Sequence, residues 1–346
     1  MANVSIGTVD RVIHNRGRVS EENMAKIKAL MKEYDYKPNP IARSLAVKKT
    51  SLLVAVIPAY APGEYWESIA QGILRAEEEM KNYRIKVRVV TFDQYDSASF
   101  NRVIGDSRTG IEEADGVIIG TLFADAVKRF SHMLDKRHIP YVYLDADIGG
   151  QNRLAYYGTD SFQGGRLGAR LLLDRLPENA DILVARIRHS GSVTSTQWEN
   201  RRLGFVSYLQ GCGYVGKLHE VDLHLSDEGY NRLVLERVMS ASPGIRGAVT
   251  FNSSCHILAD YFKSHVKDVH IVGYDLTEKN VRLLNDGYVQ CLIAQHPELQ
   301  GYCGVKALGR HLLFEEAVPS VNLFPIDVLF KENIQYYHNL SNLISI

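Results

Sequence analysis

The stretch VSIGTVDRVIHNRGRVSEE, residues 4–22, opens almost at the start of the chain. Ser5 stands where a hydroxyl can accept from the first free N–H groups of a helix. Val9, Val12 and Ile13 then fall on one face of that helix at helical spacing. Ile6, Gly7, Asp10 and Arg11 point the other way, on its first turns. This is the layout of the second helix of a helix-turn-helix, which sets its first side chains against base edges in the major groove. Arg11 suits guanine, since a guanidinium bonds O6 and N7 together. Thr8, Asn15 and Arg16 suit phosphates, whereas Asp10 repels phosphate but accepts from cytosine N4. Taken alone, the same pattern also describes an ordinary surface helix, so its surroundings must decide.

Those surroundings are basic and punctuated. The segment RVSEENMAKIKALMKEYDY predicts a second helix capped by Ser20, with Glu21 and Glu22 at the positive end of its dipole. Next comes KPNPIARSLAVKKTS, in which Pro40 fits the first turn of one more short helix, PIARSLA. Residues 1–50 carry ten Lys/Arg against five Asp/Glu, a net +5. The whole chain has 40 of each, so the remainder carries 30 basic against 35 acidic side chains, a net −5. A basic head on an acidic body points to a polyanion contact at one end; a solvated helical face is the plainer alternative.

From Ser51 onward the pattern changes to apolar strands alternating with amphipathic helices. Strands are predicted at LLVAVIP (52–58), RIKVRVVTFD (84–93), GVIIG (116–120) and PYVYLDAD (140–147). The rhythm restarts with DILVARI (181–187), GAVTFN (247–252), VHIVGYD (269–275) and VQCLIAQ (289–295). Such alternation implies βαβ crossovers and parallel sheets, and two successive series imply two doubly wound subdomains. Ligands of such sheets bind at the carboxyl ends of the strands. The glycines of GTDSFQGGRLG (158–168) do not follow the strand–GxGxxG–helix order, so Gly164, Gly165 and Gly168 read as close-packing residues of a helix.

Several classes are excluded or disfavoured. Apolar content of 45% and charged content of 23% are ordinary for a globular chain, and no apolar run reaches the ~20 residues of a membrane span. No basic-then-apolar leader precedes MANVSIGTVDR, so a cytoplasmic protein is expected. Cys212, Cys255, Cys291 and Cys303 lack metal-ligand spacing and read as reduced thiols. A P-loop, an HExxH pair and a GxSxG elbow are all absent, and His219 and His224 cannot share a helix face as a metal pair would. No cofactor, metal or catalytic residue is expected.

The string VSIGTVDRVIHNRGRVSEE, then YDYKPNPIARSLA, then the switch at SLLVAVIP closely resembles the LacI/GalR family of bacterial transcriptional regulators, over essentially the whole chain in order. The resemblance implies an α/β protein with a small all-α helix-turn-helix head, a hinge helix, and two doubly wound parallel-sheet subdomains like those of periplasmic sugar-binding proteins. It places a partial DNA-binding head at 1–38, a hinge and linker at 39–51, and an effector-binding core at 52–346. Within the core, the N-subdomain is expected at about 52–156 and 296–321, and the C-subdomain at about 157–295 and 322–346. Family members carry about a dozen further residues in front. ANVS matches the end of the turn, so the first helix of the motif is missing and the natural start is expected upstream; a chain that has lost DNA binding is the alternative. Without that helix, Val9, Val12 and Ile27 are expected to lose one apolar partner. The hinge residues Asn39, Ala42, Arg43 and Leu45 are implied to meet DNA, Leu45 as a wedge in the minor groove. The implied partners are palindromic operator DNA, a second copy of the chain and a sugar-like effector. The tail QYYHNLSNLISI is short and without sustained heptads, which favours a dimer over a tetramer.

The resemblance also implies which residues line the effector cleft. Tyr65 or Trp66 follows the first strand as a stacking aromatic, and Asp145, Asn252, Asp275 and Gln295 end later strands. Arg201, in WENRRLGF, matches the family's ligand arginine. Each has a plainer reading: Asp275 as a helix cap, Asn252 as the start of a turn, and one of Arg201 and Arg202 as a surface residue. Together they suit an uncharged monosaccharide or polyol, since a phosphate would call for a second arginine. Three functions follow: a ligand-switched transcriptional regulator of repressor type, a sensor or transport-type sugar-binding protein without a DNA role, or a sugar-modifying enzyme using Asp145 and Asp275. The basic head favours the first.

Overall fold

The protein was analysed as a computed structural model, which describes residues 4–13, 17, 19–34, 50–188, 195–265 and 268–337. The two N-terminal helices, Ile6–Ile13 and Glu21–Glu33, pack on one another. Ser5 caps the first, its Oγ accepting from the Thr8 N–H at 3.2 Å, and Ser20 caps the second through the Asn23 N–H at 3.4 Å. Val12 and Ile27 are buried and Val9 is half-buried, the two helices covering one another's apolar faces. The short helix expected at PIARSLA lies outside the described residues.

Two six-stranded sheets make up the rest. The first contains β1 (Ser51–Pro58), β2 (Ile85–Phe92), β3 (Gly116–Gly120), β4 (Tyr141–Asp145), β5 (Ala155–Gly158) and β11 (Val321–Leu323), in the order β11-β5-β4-β3-β1-β2. The second contains β6 (Asp181–Arg188), β7 (Leu218–His224), β8 (Ile245–Thr250), β9 (His270–Tyr274), β10 (Cys291–Ala294) and β12 (Asp327–Leu329), in the order β12-β10-β9-β8-β6-β7. All pairings are parallel except that of β12 with β10. Each sheet therefore runs 2-1-3-4-5-6 in its own numbering and reverses direction between its first and third strands, which is where doubly wound sheets open a ligand crevice.

The central strands form because their side chains are apolar on both faces, as a sheet covered on both sides requires. In β1, Leu53 to Ile57 are fully buried, and their neighbours divide into two clusters, one on each face of the sheet. Burying each large aliphatic side chain contributes about 1.5–3 kcal/mol. The second sheet is covered the same way.

The chain crosses between the sheets three times, at 158–161, at 294–297 and at 323–327. Two glycine-mediated helix crossings flank the junction. A Cβ at Gly72 would lie 1.9 Å from the Glu298 carbonyl oxygen, and one at Gly301 would lie 2.2 Å from that of Ile69. Likewise a Cβ at Gly165 would lie 1.9 Å from the Arg201 carbonyl oxygen, and one at Gly204 at 1.9 Å from that of Phe162. Backbone meets backbone at both crossings, so the helices Tyr65–Met80 and Thr196–Gly211 are each held tightly at the end that reaches the junction.

Candidate functional site

The carboxyl ends of both sheets meet at the junction, and a buried polar cluster lies there. Asp145 ends β4 with φ +78°, and Asp275 follows β9 with φ +66°, a matched pair of left-handed positions in the two sheets. Such backbone persists where its surroundings over-determine it. Around Asp145, its N–H donates to Gln300 Oε1 at 3.1 Å and its carbonyl accepts from Tyr156 Oη at 3.1 Å. Thr121 Oγ1 further ties Leu144 to Ala146. Around Asp275, its N–H donates to the Ile293 carbonyl at 2.9 Å and its carbonyl accepts from Asn280 Nδ2 at 3.3 Å.

The side chains form one connected network. Tyr65 Oη donates to Asp145 Oδ1 at 2.8 Å, and Gln197 Nε2 donates to the same oxygen at 2.6 Å. Gln295 Nε2 donates to Asp275 Oδ1 at 2.5 Å, while its Oε1 accepts from Thr159, Gln197 and Arg201. The other Arg201 nitrogen donates to the Phe251 carbonyl at 2.8 Å, and the guanidinium lies 4.3 Å from the centre of the Tyr274 ring. Gln295 follows β10 at the second crossover and Thr159 lies in the first, so their bond ties two of the three crossovers together. His296 ties the second to the third, its Nε2 standing 2.8 Å from Asp327 Oδ2.

Burial sets the electrostatics. It is the largest cause lifting the Asp145 carboxyl to about 6, with Arg201 and the Tyr65 hydrogen bond opposing and Asp275 adding repulsion. The Asp275 carboxyl is raised mainly by burial too, again opposed by Arg201. The Tyr65 phenol is pushed well above its usual value by burial and by both carboxylates, so it stays a neutral donor. Two carboxylates, one guanidinium and three primary amides are groups that can meet vicinal hydroxyls from several directions. None of them is paired with a nucleophile, and among the described residues no group of His, Cys, Asp and Glu could hold a metal.

A cavity of about 140 Å³ adjoins the network, with Tyr65, Trp66, Leu122, Phe123 and Asp145 on one side and Arg186, Arg188, Gln197, Trp198, Asn252 and Asp275 on the other. Of the expected cleft residues, Tyr65, Trp66, Asp145, Asn252 and Asp275 line this cavity; Arg201 and Gln295 sit behind it in the network. Arg201 is buried, whereas Arg202 pairs with Glu220 at the surface, which separates the two neighbouring arginines. Asp275 is not a helix cap: Thr277 caps Glu278–Asn285. Asn252 does begin a turn, its Oδ1 accepting from the Ser254 N–H at 3.2 Å, and faces the cavity as well.

Sequence reasoning missed Gln197, Gln300, Arg186 and Arg188. Gln197 lies one helical turn before Arg201, and that spacing was a usable signal. In the head, Ser5, Ile6, Gly7, Asp10 and Arg11 are exposed and Thr8 is half-buried, so this helix presents an open face with Arg11 upon it. Asn15, Arg16, Asn39, Ala42, Arg43 and Leu45 lie outside the described residues.

Comparison with known proteins agrees with this division. Residues 54–316 match the periplasmic binding protein domain family, and residues 1–39 match the lacI family of bacterial regulatory proteins. A putative LacI transcriptional regulator from Bacteroides fragilis, known from its crystal structure, is 34% identical; the match covers 84% of this chain and all of that one, with a TM-score of 0.79. A sucrose operon repressor from Pediococcus pentosaceus is 26% identical over 65% of this chain and 64% of its own length. A ribose operon repressor from Halalkalibacterium halodurans is 26% identical over 79% of this chain and 77% of its own. These relatives are transcriptional regulators rather than enzymes.

Proposed function

The chain belongs to the LacI family of bacterial regulatory proteins, and we propose that it is a transcriptional regulator of repressor type whose affinity for operator DNA is set by a small effector held between its two subdomains. The effector is a monosaccharide or related polyol. The observation that carries this reading is the Asp145–Gln197–Arg201–Gln295–Asp275 network, buried at the junction and drawn from both sheets. A ligand replacing these internal bonds contacts both subdomains and so favours one arrangement of the two over another. A ligand shifts an equilibrium only by its difference in affinity for the two states, and a site shared by two bodies supplies that difference.

On the DNA side, Ser5, Ile6, Gly7, Asp10 and Arg11 occupy the exposed face of a capped helix and fit a major groove. A homodimer places two such helices on a palindromic site by twofold symmetry. The sucrose and ribose operon repressors among the relatives support a sugar as the controlling ligand.

Calorimetric titration of monosaccharides into the protein tests the cleft. One or a few epimers should bind at one site per chain, and Gln197→Ala should weaken that binding by about tenfold, the worth of a hydrogen-bonding group facing a polar ligand. Absence of binding across aldopentoses, aldohexoses, their acids and their phosphates would remove the effector reading.

A further inference from the structure

The cavity beside the buried network has two unlike walls. The wall formed by the first sheet carries Tyr65, Trp66, Phe123 and the Asp145 carboxylate. The wall formed by the second carries Arg186 and Arg188. They are two residues apart on β6, so their side chains leave the same face of the strand. Arg186 holds Asp222 in a bidentate pair, Nε to Oδ1 at 2.7 Å and a terminal nitrogen to Oδ2 at 3.0 Å, and Arg188 reaches Oδ2 at 3.0 Å. Two guanidinium groups thus share one carboxylate at the cavity wall, and Glu199 and Glu220 act on Arg186 from farther off, Glu220 being itself paired with Arg202.

Further donors gather at the same wall. The helix Thr196–Gly211 begins there, with its cap Ser195 and with Gln197 lining the cavity. Trp198, also in the lining, is buried, and its indole N–H has no acceptor among the described residues. The Arg186 guanidinium lies 5.6 Å from the centre of the Trp198 ring. A buried donor without a partner is costly, and a small shift of this wall onto a ligand acceptor relieves it.

We propose that the effector is a monosaccharide bearing a carboxylate, a uronic or aldonic acid. Its hydroxyls meet Asp145, Tyr65 and Gln197, and its acid group meets the Arg186–Arg188 wall and the Trp198 indole. This rests on the reading of the cavity as the effector site and narrows its ligand class. The uncharged sugar expected from the sequence followed from finding one arginine there; the fold brings three to the site. Planar guanidinium groups suit a planar carboxylate, which two parallel N–H donors meet in one plane.

The test is a set of calorimetric titrations at fixed salt, using each common aldohexose and aldopentose beside its uronic acid, its aldonic acid and its terminal phosphate. An acid should bind about tenfold or more tightly than its neutral parent, as a charge-assisted contact does. Arg188→Gln should bring the two within about twofold of one another by weakening the acid. Arg188 is 40% exposed, so the variant should fold, which its unliganded melting temperature checks; Arg186→Gln gives a second reading. A neutral sugar binding as tightly as its acid, a phosphate binding more tightly than the carboxylate, or an acid preference that survives both variants would overturn the proposal. Binding of neutral sugars alone would overturn it while sparing the effector reading, and no binding by any compound would overturn both.

Discussion

Asp145 and Asp275 keep their carboxyls in the interior with the Arg201 guanidinium acting on both. Removing that guanidinium leaves two buried acids, the Gln295 amide and the Phe251 carbonyl without it, so Arg201→Met should cost about 3–5 kcal/mol in urea unfolding. The Asp145 carboxyl titrates at about 6 in the folded chain against 3.8 for the free group. A raised carboxyl binds its proton more tightly when folded. Its contribution to stability is therefore full below 3.8 and is lost as pH rises through about 6. Asp145→Asn removes that loss, keeps an oxygen for Tyr65 and Gln197, and tolerates the left-handed backbone. The unliganded variant should therefore be more stable than the parent at pH 7.5, by up to about 3 kcal/mol, with the gap closing near pH 4. A parent equal to the variant at pH 7.5 would contradict the burial argument. Effector affinity in the parent should fall below pH 6, as the acceptor gains its proton. At this scale the sequence was readable where a polar residue follows an apolar strand, as at Asp145, Asp275 and Gln295. It was silent on Gln300, which reaches the network from a helix, and on Arg186 and Arg188, hidden inside a segment read only as a strand, while Gln197 was marked only by its helical spacing from Arg201.

Helix crossings set where these side chains stand. Gly165→Ala places a methyl 1.9 Å from the Arg201 carbonyl, so the helices must separate and Arg201 must move with its backbone. The variant should lose roughly 2 kcal/mol or more and bind effector poorly. One residue earlier, a Cβ at Gly164 meets only the end of Ile326, at 3.8 Å. Gly164→Ala should be neutral or stabilising by up to about 1 kcal/mol, the helix preference of alanine over glycine. Melting curves of the pair decide it, and equal losses would show that the close approach is not what matters. In the head, Arg11→Ala on the helix Ile6–Ile13 should weaken operator binding by about 1–3 kcal/mol and relax preference at one base pair, read by competition between duplexes. The long strands β1, β3, β4, β8 and β9 were legible because covered strands need unbroken apolar runs. The strands β5, β11 and β12 are only three or four residues long, and β7 is a half-buried edge strand that mixes His, Glu and Asp with its apolar residues. None of these presents such a run, so periodicity passed them over.

Across the whole molecule, one network between two sheets is proposed to sense a ligand while a separate helical head is proposed to meet DNA. The doubly wound character of both sheets was legible from strand and helix alternation alone. The return of the chain to the first sheet after β10 was expected only from the family resemblance, because it depends on which surface the helix Pro297–Phe314 covers, and that is settled by its contact with Tyr65–Met80 through Gly72 and Gly301. The most direct measurement of the central claim is the affinity for a palindromic duplex selected against the protein, by fluorescence anisotropy at fixed salt, with and without saturating effector. Salt is held because phosphate contacts make affinity steeply dependent on it. Effector should change the affinity by about 5-fold to 150-fold, and Gln197→Ala should shift the effector dose by about tenfold. A duplex affinity that does not respond to an effector shown by calorimetry to occupy the cleft would contradict the account.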